Sequence, residues 1–196
     1  MELVLSLALT TALLLGSPGP APLALAGVGA SFGFRQGSGF LAGILGGLLV
    51  VIILVAAGLG TLFTAYPTIR MVCQFAAAGY LCFVAYRIAM AEGGIASQTG
   101  QPPAFKDGFI LNLINPKAYA AFLAIFANNM LQIHSPLIDL LLTASICFLV
   151  AVTVDTLWMV AGAKLRPLFA RPKQARKLRL GFALALVTSV LFAIAG

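Results

Sequence analysis

The sequence predicts an all-α polytopic membrane protein, with six transmembrane helices forming two inverted three-helix repeats in which helices 1 and 4 are broken near the midplane. Three observations carry that reading. The 196 residues are 61% hydrophobic and 9% charged, with a mean hydropathy of +1.06, so polar side chains are too few to coat a soluble globule. The apolar residues gather in stretches long enough to cross a bilayer. Two of those stretches, one in each half, carry proline and polar residues at their centres.

A bilayer-crossing helix needs about 20 apolar residues, and six stretches approach or exceed that length, at about 3–31, 40–62, 70–90, 107–127, 138–162 and 180–196. The last is only just long enough. The first would extend roughly 43 Å as one straight helix, against a hydrocarbon core of ~30 Å. It must break, tilt or protrude, and Gly16-Ser17-Pro18-Gly19-Pro20 lies at its middle. Ala24-Leu25-Ala26 has the look of a signal-peptide cleavage site, but the only charge ahead of the apolar run is Glu2, whereas a signal peptide begins with a positive region. The stretch therefore reads as a retained first span.

Span 2 opens with Gly39, Gly43 and Gly47, a small-xxx-small run that lets another helix backbone approach closely, and Gly33 and Gly37 extend the spacing backward. A polar linker at about 92–106, with Gly93, Gly94, Gly100, Pro102 and Pro103, follows span 3. It divides a single membrane domain into repeat 1, about 1–91, and repeat 2, about 107–196. Span 4 contains Asn112-Leu113-Ile114-Asn115-Pro116-Lys117, so the first span of each half is interrupted by proline. An odd number of spans per half makes the halves enter the membrane from opposite sides, the pattern in which discontinuous helices meet at the midplane and form a substrate site.

Charge sets the orientation. The loops after spans 1, 3 and 5 hold Arg35; Arg87 and Lys106; and Lys164, Arg166, Arg171, Lys173, Arg176, Lys177 and Arg179. The loops after spans 2 and 4 hold only Arg70 and His134. The positive-inside rule puts the first set in the cytoplasm and both termini outside. It also accounts for the net charge of +7 without nucleic acid, for which the spans leave no soluble surface.

Each break offers binding chemistry. Proline removes an N–H and disrupts the bond to the carbonyl four residues back, which for Pro18 and Pro116 frees carbonyls near Leu14 and Asn112. Such carbonyls can hold an ammonium group. The half-helices that restart after the breaks aim N–H groups and positive dipole ends at the same space, which suits a carboxylate. An α-amino acid carries both groups. The expected substrate-binding residues are Ser17, Pro18, Gly19, Pro20, Asn112, Asn115, Pro116 and Lys117. Lys117 and Asp155 are the ionisable residues well inside spans, and such residues are functional candidates by default. Counting from the span ends puts Lys117 near mid-depth and Asp155 about 8 Å toward the cytoplasm, within reach of an ion pair if spans 4 and 5 adjoin. Asp155 is the expected proton-coupling carboxylate. Trp158 and Tyr119 are candidate cavity residues or packing anchors, and His134 reads as incidental. Cys73, Cys82 and Cys147 show no CxxC spacing, so no metal site, dithiol pair or other cofactor is expected.

The chain resembles the LysE/RhtB family of bacterial amino-acid exporters, in which a PGP motif in the first span and an NPK motif in the fourth recur. Here these are Ser17-Pro18-Gly19-Pro20 and Asn115-Pro116-Lys117-Ala118. Further similarities are Gly79-Tyr80-Leu81, Asp155 followed by Trp158, and the basic loop leading into Gly181. The resemblance implies a multi-pass protein of the bacterial inner membrane that exports amino acids or derivatives, driven by the proton gradient. No acidic residue lies between Glu2 and Glu92 to pair a second cation, which favours neutral amino acids. The partners are then the solute and the bilayer, with self-association left open. Competing readings are an exporter of another small solute or ion, which would want ligands suited to it; a membrane-embedded enzyme, which would need a nucleophile and base; and a scaffold, which would leave the paired breaks unexplained.

Orientation is testable by thiol labelling in intact cells, in a variant with Cys73, Cys82 and Cys147 replaced. Gln132→Cys should react with a membrane-impermeant reagent and Lys173→Cys should not; the opposite pattern would invert the topology.

Overall fold

The computed structural model describes residues 2–58, 101–128, 130–133 and 135–169, with scattered single positions between 66 and 86 and between 177 and 188. Within them the fold is helical: α1 (Glu2–Gly16), α2 (Pro20–Phe32), α3 (Phe34–Ala56), α4 (Phe105–Leu113), α5 (Pro116–Asn128) and α6 (Pro136–Phe169). Most of expected spans 3 and 6 and of the linker, together with Cys73 and His134, lies outside the described residues.

Local chemistry explains the helix ends. The Ser17 amide donates to Leu13 O (3.1 Å), and then Pro18 and Pro20, lacking N–H groups, cannot continue the ladder. Gly19 is extended, and Pro20 opens α2 at the first helical position, where its missing donor is no loss. The two helices meet at a bend of 67°. Gly33 (φ 81°) alone separates α2 from α3, a positive φ that other residues adopt only under strain. Its amide closes α2 on Gly29 O (2.8 Å), and its carbonyl accepts from Gly37 N (3.1 Å) to start α3. Helix α3 thus begins several residues before the expected position 40. It ends at Ala56, capped by Ala57 and followed by Gly58 at φ 81°. Asp107 Oδ2 accepts from Ala104 N (2.8 Å) and fixes the start of α4. Between α4 and α5 the bend is 57°.

Helix α6 runs past the expected end at 162, because nothing between Ala163 and Arg166 interrupts it. Its N-terminal turns hold the preceding loop: Thr143 Oγ1 accepts from Leu131 N (3.1 Å), and the Asp139 carboxylate accepts from Ile133 N (3.1 and 3.2 Å).

Among the described residues two helical stretches, Phe34–Ala56 and Pro136–Leu165, are each long and apolar enough to cross a membrane, and the pairs α1 with α2 and α4 with α5 qualify only when each is taken together. The packing is closest where glycines face backbone. A Cβ on Gly43 would collide with Phe105 O, and one on Gly108 with Phe40 O, so α3 and α4 interlock reciprocally. Helices α2 and α6 do the same, Gly29 against Met159 O and Gly162 against Ala26 O. Consequently α2 is buried from Pro20 to Ala30, whereas α1 buries only Leu7, Thr11 and Leu15.

These contacts predict the effect of adding one methyl group. Gly43→Ala and Gly162→Ala should each destabilise the detergent-purified protein by about 1–3 kcal/mol, read as a lowered melting temperature. At Gly39 the nearest atom to an added Cβ is Phe105 N at 3.9 Å, so Gly39→Ala should leave the melting temperature unchanged or raise it.

Candidate functional site

The two breaks meet. Lys117, the second residue of α5, extends to the end of α1, where its Nζ donates to Ser17 O (2.6 Å). One residue earlier, Gly16 O accepts from Trp158 Nε1 on α6 (3.1 Å). These two carbonyls belong to the last turn of α1, which has no intrahelical partners left to offer them and carries the negative end of the helix dipole. The carbonyls expected to be free are engaged instead. Ser17 Oγ donates to Leu14 O (2.9 Å), and Asn112 O accepts from Asn115 N (3.1 Å). The reason is local, since a hydroxyl three residues on, or a tight turn, caps a carbonyl that proline has orphaned. Ser17 therefore contributes its carbonyl to the site and turns its hydroxyl away.

The second break is organised by a relay of amides. Asn115 precedes Pro116 as a helix N-cap, and its Oδ1 accepts from Lys117 N (3.1 Å). Its Nδ2 donates to Asn112 Oδ1 (3.4 Å), and Asn112 Nδ2 donates to Ile44 O on α3 (2.8 Å). Both asparagines are buried, and the relay fixes the N-terminus of α5, and with it the root of Lys117, against α3. The supply of free N–H groups is smaller than expected. Pro20 and Pro22 remove two donors from the first turn of α2, Pro116 removes one from α5, and the Lys117 amide is already bonded.

Asp155, 5% exposed, projects from α6 and interacts electrostatically with Lys117. The two face a cavity also lined by Asn112, Asn115, Ala21 and Leu48. Its volume is about 20 Å³, room for roughly one water molecule and not for an amino acid. Gly19 sits against the lysine stem, where a Cβ would stand 2.9 Å from both Lys117 Cδ and Nζ. Pro18 is exposed and Pro20 buried, flanking the turn. Tyr119 packs in the apolar cluster with Leu7 and Phe122 rather than on the cavity wall.

Two features escaped the sequence. The bond from Trp158 to Gly16 O joins residues far apart in the chain, although its position three residues after Asp155 places both on one face of α6. Asp139 is buried, at 4% exposure, despite lying near a helix end; the signal available was an acid in the first turn after Ser135-Pro136.

The family model described as LysE type translocator matches residues 12–195, which include both breaks and Asp155. Two relatives named homoserine/homoserine lactone efflux protein, from Salmonella typhi and from Salmonella typhimurium strain LT2, are each 28% identical over 179 residues, covering 89% of this chain and 87% of the relative. No solved structure matches. With the family model spanning nearly the whole chain and the PGP and NPK motifs joined in space, the protein belongs to the LysE family of translocators.

Proposed function

We propose that the protein is a secondary exporter of small neutral amino acids or their derivatives across the bacterial inner membrane, coupled to the proton gradient, with its substrate site where the two breaks meet. The observation that carries this reading is the bond from Lys117 to Ser17 O beside a buried Asp155. Residues from both halves of the chain converge on one cavity that holds Asn112, Asn115, Lys117 and Asp155, as a midplane site between repeats requires. The relatives' names point to homoserine-like cargo, whose single net-neutral zwitterion suits a site with one lysine and one aspartate. Each bent helix pair is then a single broken span. Six spans form the two inverted repeats, about 1–91 and 107–196, and both termini lie outside.

In this orientation α2, the start of α3, α4 and the end of α6 lie on the cytoplasmic side. These are the segments joined by glycine against backbone, so the conformer is closed toward the cytoplasm, and loading from that side requires α2 to part from α6 or α4 from α3. Ser17, Gly19 and the flanking prolines form one wall; Asn112, Asn115 and Pro116 position Lys117 on the other; Asp155 carries the coupled proton.

Loaded vesicles containing the purified protein should release labelled homoserine or another neutral amino acid faster with an imposed proton gradient than without. If no member of a twenty-amino-acid panel leaves, the reading fails. Asp155→Asn should insert normally and lose the gradient-driven component, whereas undiminished efflux would remove Asp155 from coupling. Gly19→Leu should reduce efflux to background by driving a side chain into the space of the Lys117 stem. Ser17→Ala, which removes one exposed hydroxyl bond worth about 1 kcal/mol, should retain most of it.

A further inference from the structure

We infer that the carbonyl end of α1 is the ammonium seat for the transported solute and that the Lys117 ammonium occupies this seat as a tethered stand-in while the site is empty. The inference rests on the exporter reading above and specifies how its site is used. Ser17 O and Gly16 O are terminal carbonyls at the negative end of a fifteen-residue helix. Both accept bonds from other helices, one from an ammonium and one from the Trp158 indole. The ammonium of an amino acid has the same charge, the same donors and the same compact shape as Lys117 Nζ.

The seat and the stem of Lys117 are built together. Gly19 has φ −176° and ψ −175°, an extended conformation that any residue adopts, so the backbone does not call for glycine. Space does, because a Cβ there would press on Lys117 Cδ and Nζ at 2.9 Å. Ser17 O already holds one ammonium, and a second cation beside it would meet like charge, so a cargo ammonium replaces Nζ rather than joining it. Asp155, 95% buried and facing the same cavity, provides the displaced ammonium with a second anchor. Cargo and Lys117 thus compete for one carbonyl, which is bonded whichever of them holds it.

Self-competition has an unusual signature: removing the lysine improves cation binding. Trp158 is the sole tryptophan and donates to the neighbouring carbonyl, so its fluorescence reports on the seat. Purified full-length protein should be titrated with methylammonium chloride, with tetramethylammonium chloride and sodium acetate as controls at matched ionic strength. In the wild type methylammonium should change the emission and the controls, which lack an N–H cation, should not; identical responses to all three would overturn the proposal. Lys117→Met should respond at a concentration at least tenfold lower than the wild type, and the gain should persist in Lys117→Met/Asp155→Asn. An unchanged or weakened response, or a gain that disappears with Asp155, would place the cation elsewhere and overturn it. If Lys117→Met does not fold, the wild-type comparison of methylammonium with tetramethylammonium still decides. Failure of amino-acid efflux with this binding pattern intact would instead refute the exporter reading and leave the seat standing.

Discussion

A backbone polar group inside a bilayer has no water to turn to, and an unsatisfied one costs several kcal/mol. Every interaction at the two breaks answers that constraint. Proline at positions 18, 20 and 116 stops each helix from satisfying its own ends, and donors arrive from elsewhere: Ser17 Oγ for Leu14 O, Trp158 for Gly16 O, Lys117 for Ser17 O. At the second break Asn115 caps α5 and leans on Asn112, which reaches Ile44 O. The breaks persist because five helices, α1, α3, α4, α5 and α6, jointly repair them. Moving any one of these helices changes which carbonyls are satisfied.

The same helices are not held equally. Hydrophobic burial does not drive helix association among lipid tails, so close van der Waals approach must. That approach is achieved where Gly29 and Gly162 lock α2 to α6, and where Gly43 and Gly108 lock α3 to α4. At the opposite end of the bundle the contacts rest on larger side chains, as in the cluster of Leu7, Val51, Phe122 and Ile125. Side chains can slide and repack, whereas interlocked backbones separate as bodies. The glycine pairs therefore divide the described helices into an α2/α6 body and an α3/α4 body, with α1 and α5 reaching across at the breaks.

What could be read from the sequence was what is encoded locally. Pro18, Pro20 and Pro116 interrupt apolar runs, and Lys117 and Asp155 are charges in such runs, so the breaks and their ionisable partners were visible residue by residue. The glycine spacing of span 2 announced a close helix contact, and Gly43 and Gly47 do meet α4, while Gly39 has room to spare. What remained hidden depended on distant pairing. Nothing in the neighbourhood of Trp158 says that it will bond to Gly16, or in that of Asn112 that it will bond to Ile44. The carbonyls at the site were misjudged by counting four residues back from each proline. That count identifies which intrahelical bond is lost, and it ignores the capping hydroxyl of Ser17 that claims Leu14 O first. Helix limits shifted for a similar reason, because Gly33 serves as stop and start at once.

The charge on Lys117 exceeds what the fold requires. Satisfying Ser17 O needs one hydrogen-bond donor, and Trp158 shows on the adjacent carbonyl that a neutral donor suffices. Placing lysine or aspartate at membrane depth costs about 2.5–3.5 kcal/mol each on insertion scales, and buried ion pairs are often replaceable by apolar residues with no loss of stability. A fold selected for stability alone would therefore hold this break with a neutral side chain and leave position 155 apolar. Retaining both charges makes sense if the ammonium must leave its carbonyl and be received by a carboxylate while another cation takes its place. On the inference above, the bond from Lys117 to Ser17 O is one of two positions of that ammonium, and the Asp155 carboxylate, on the wall of the cavity that Lys117 also lines, is the other.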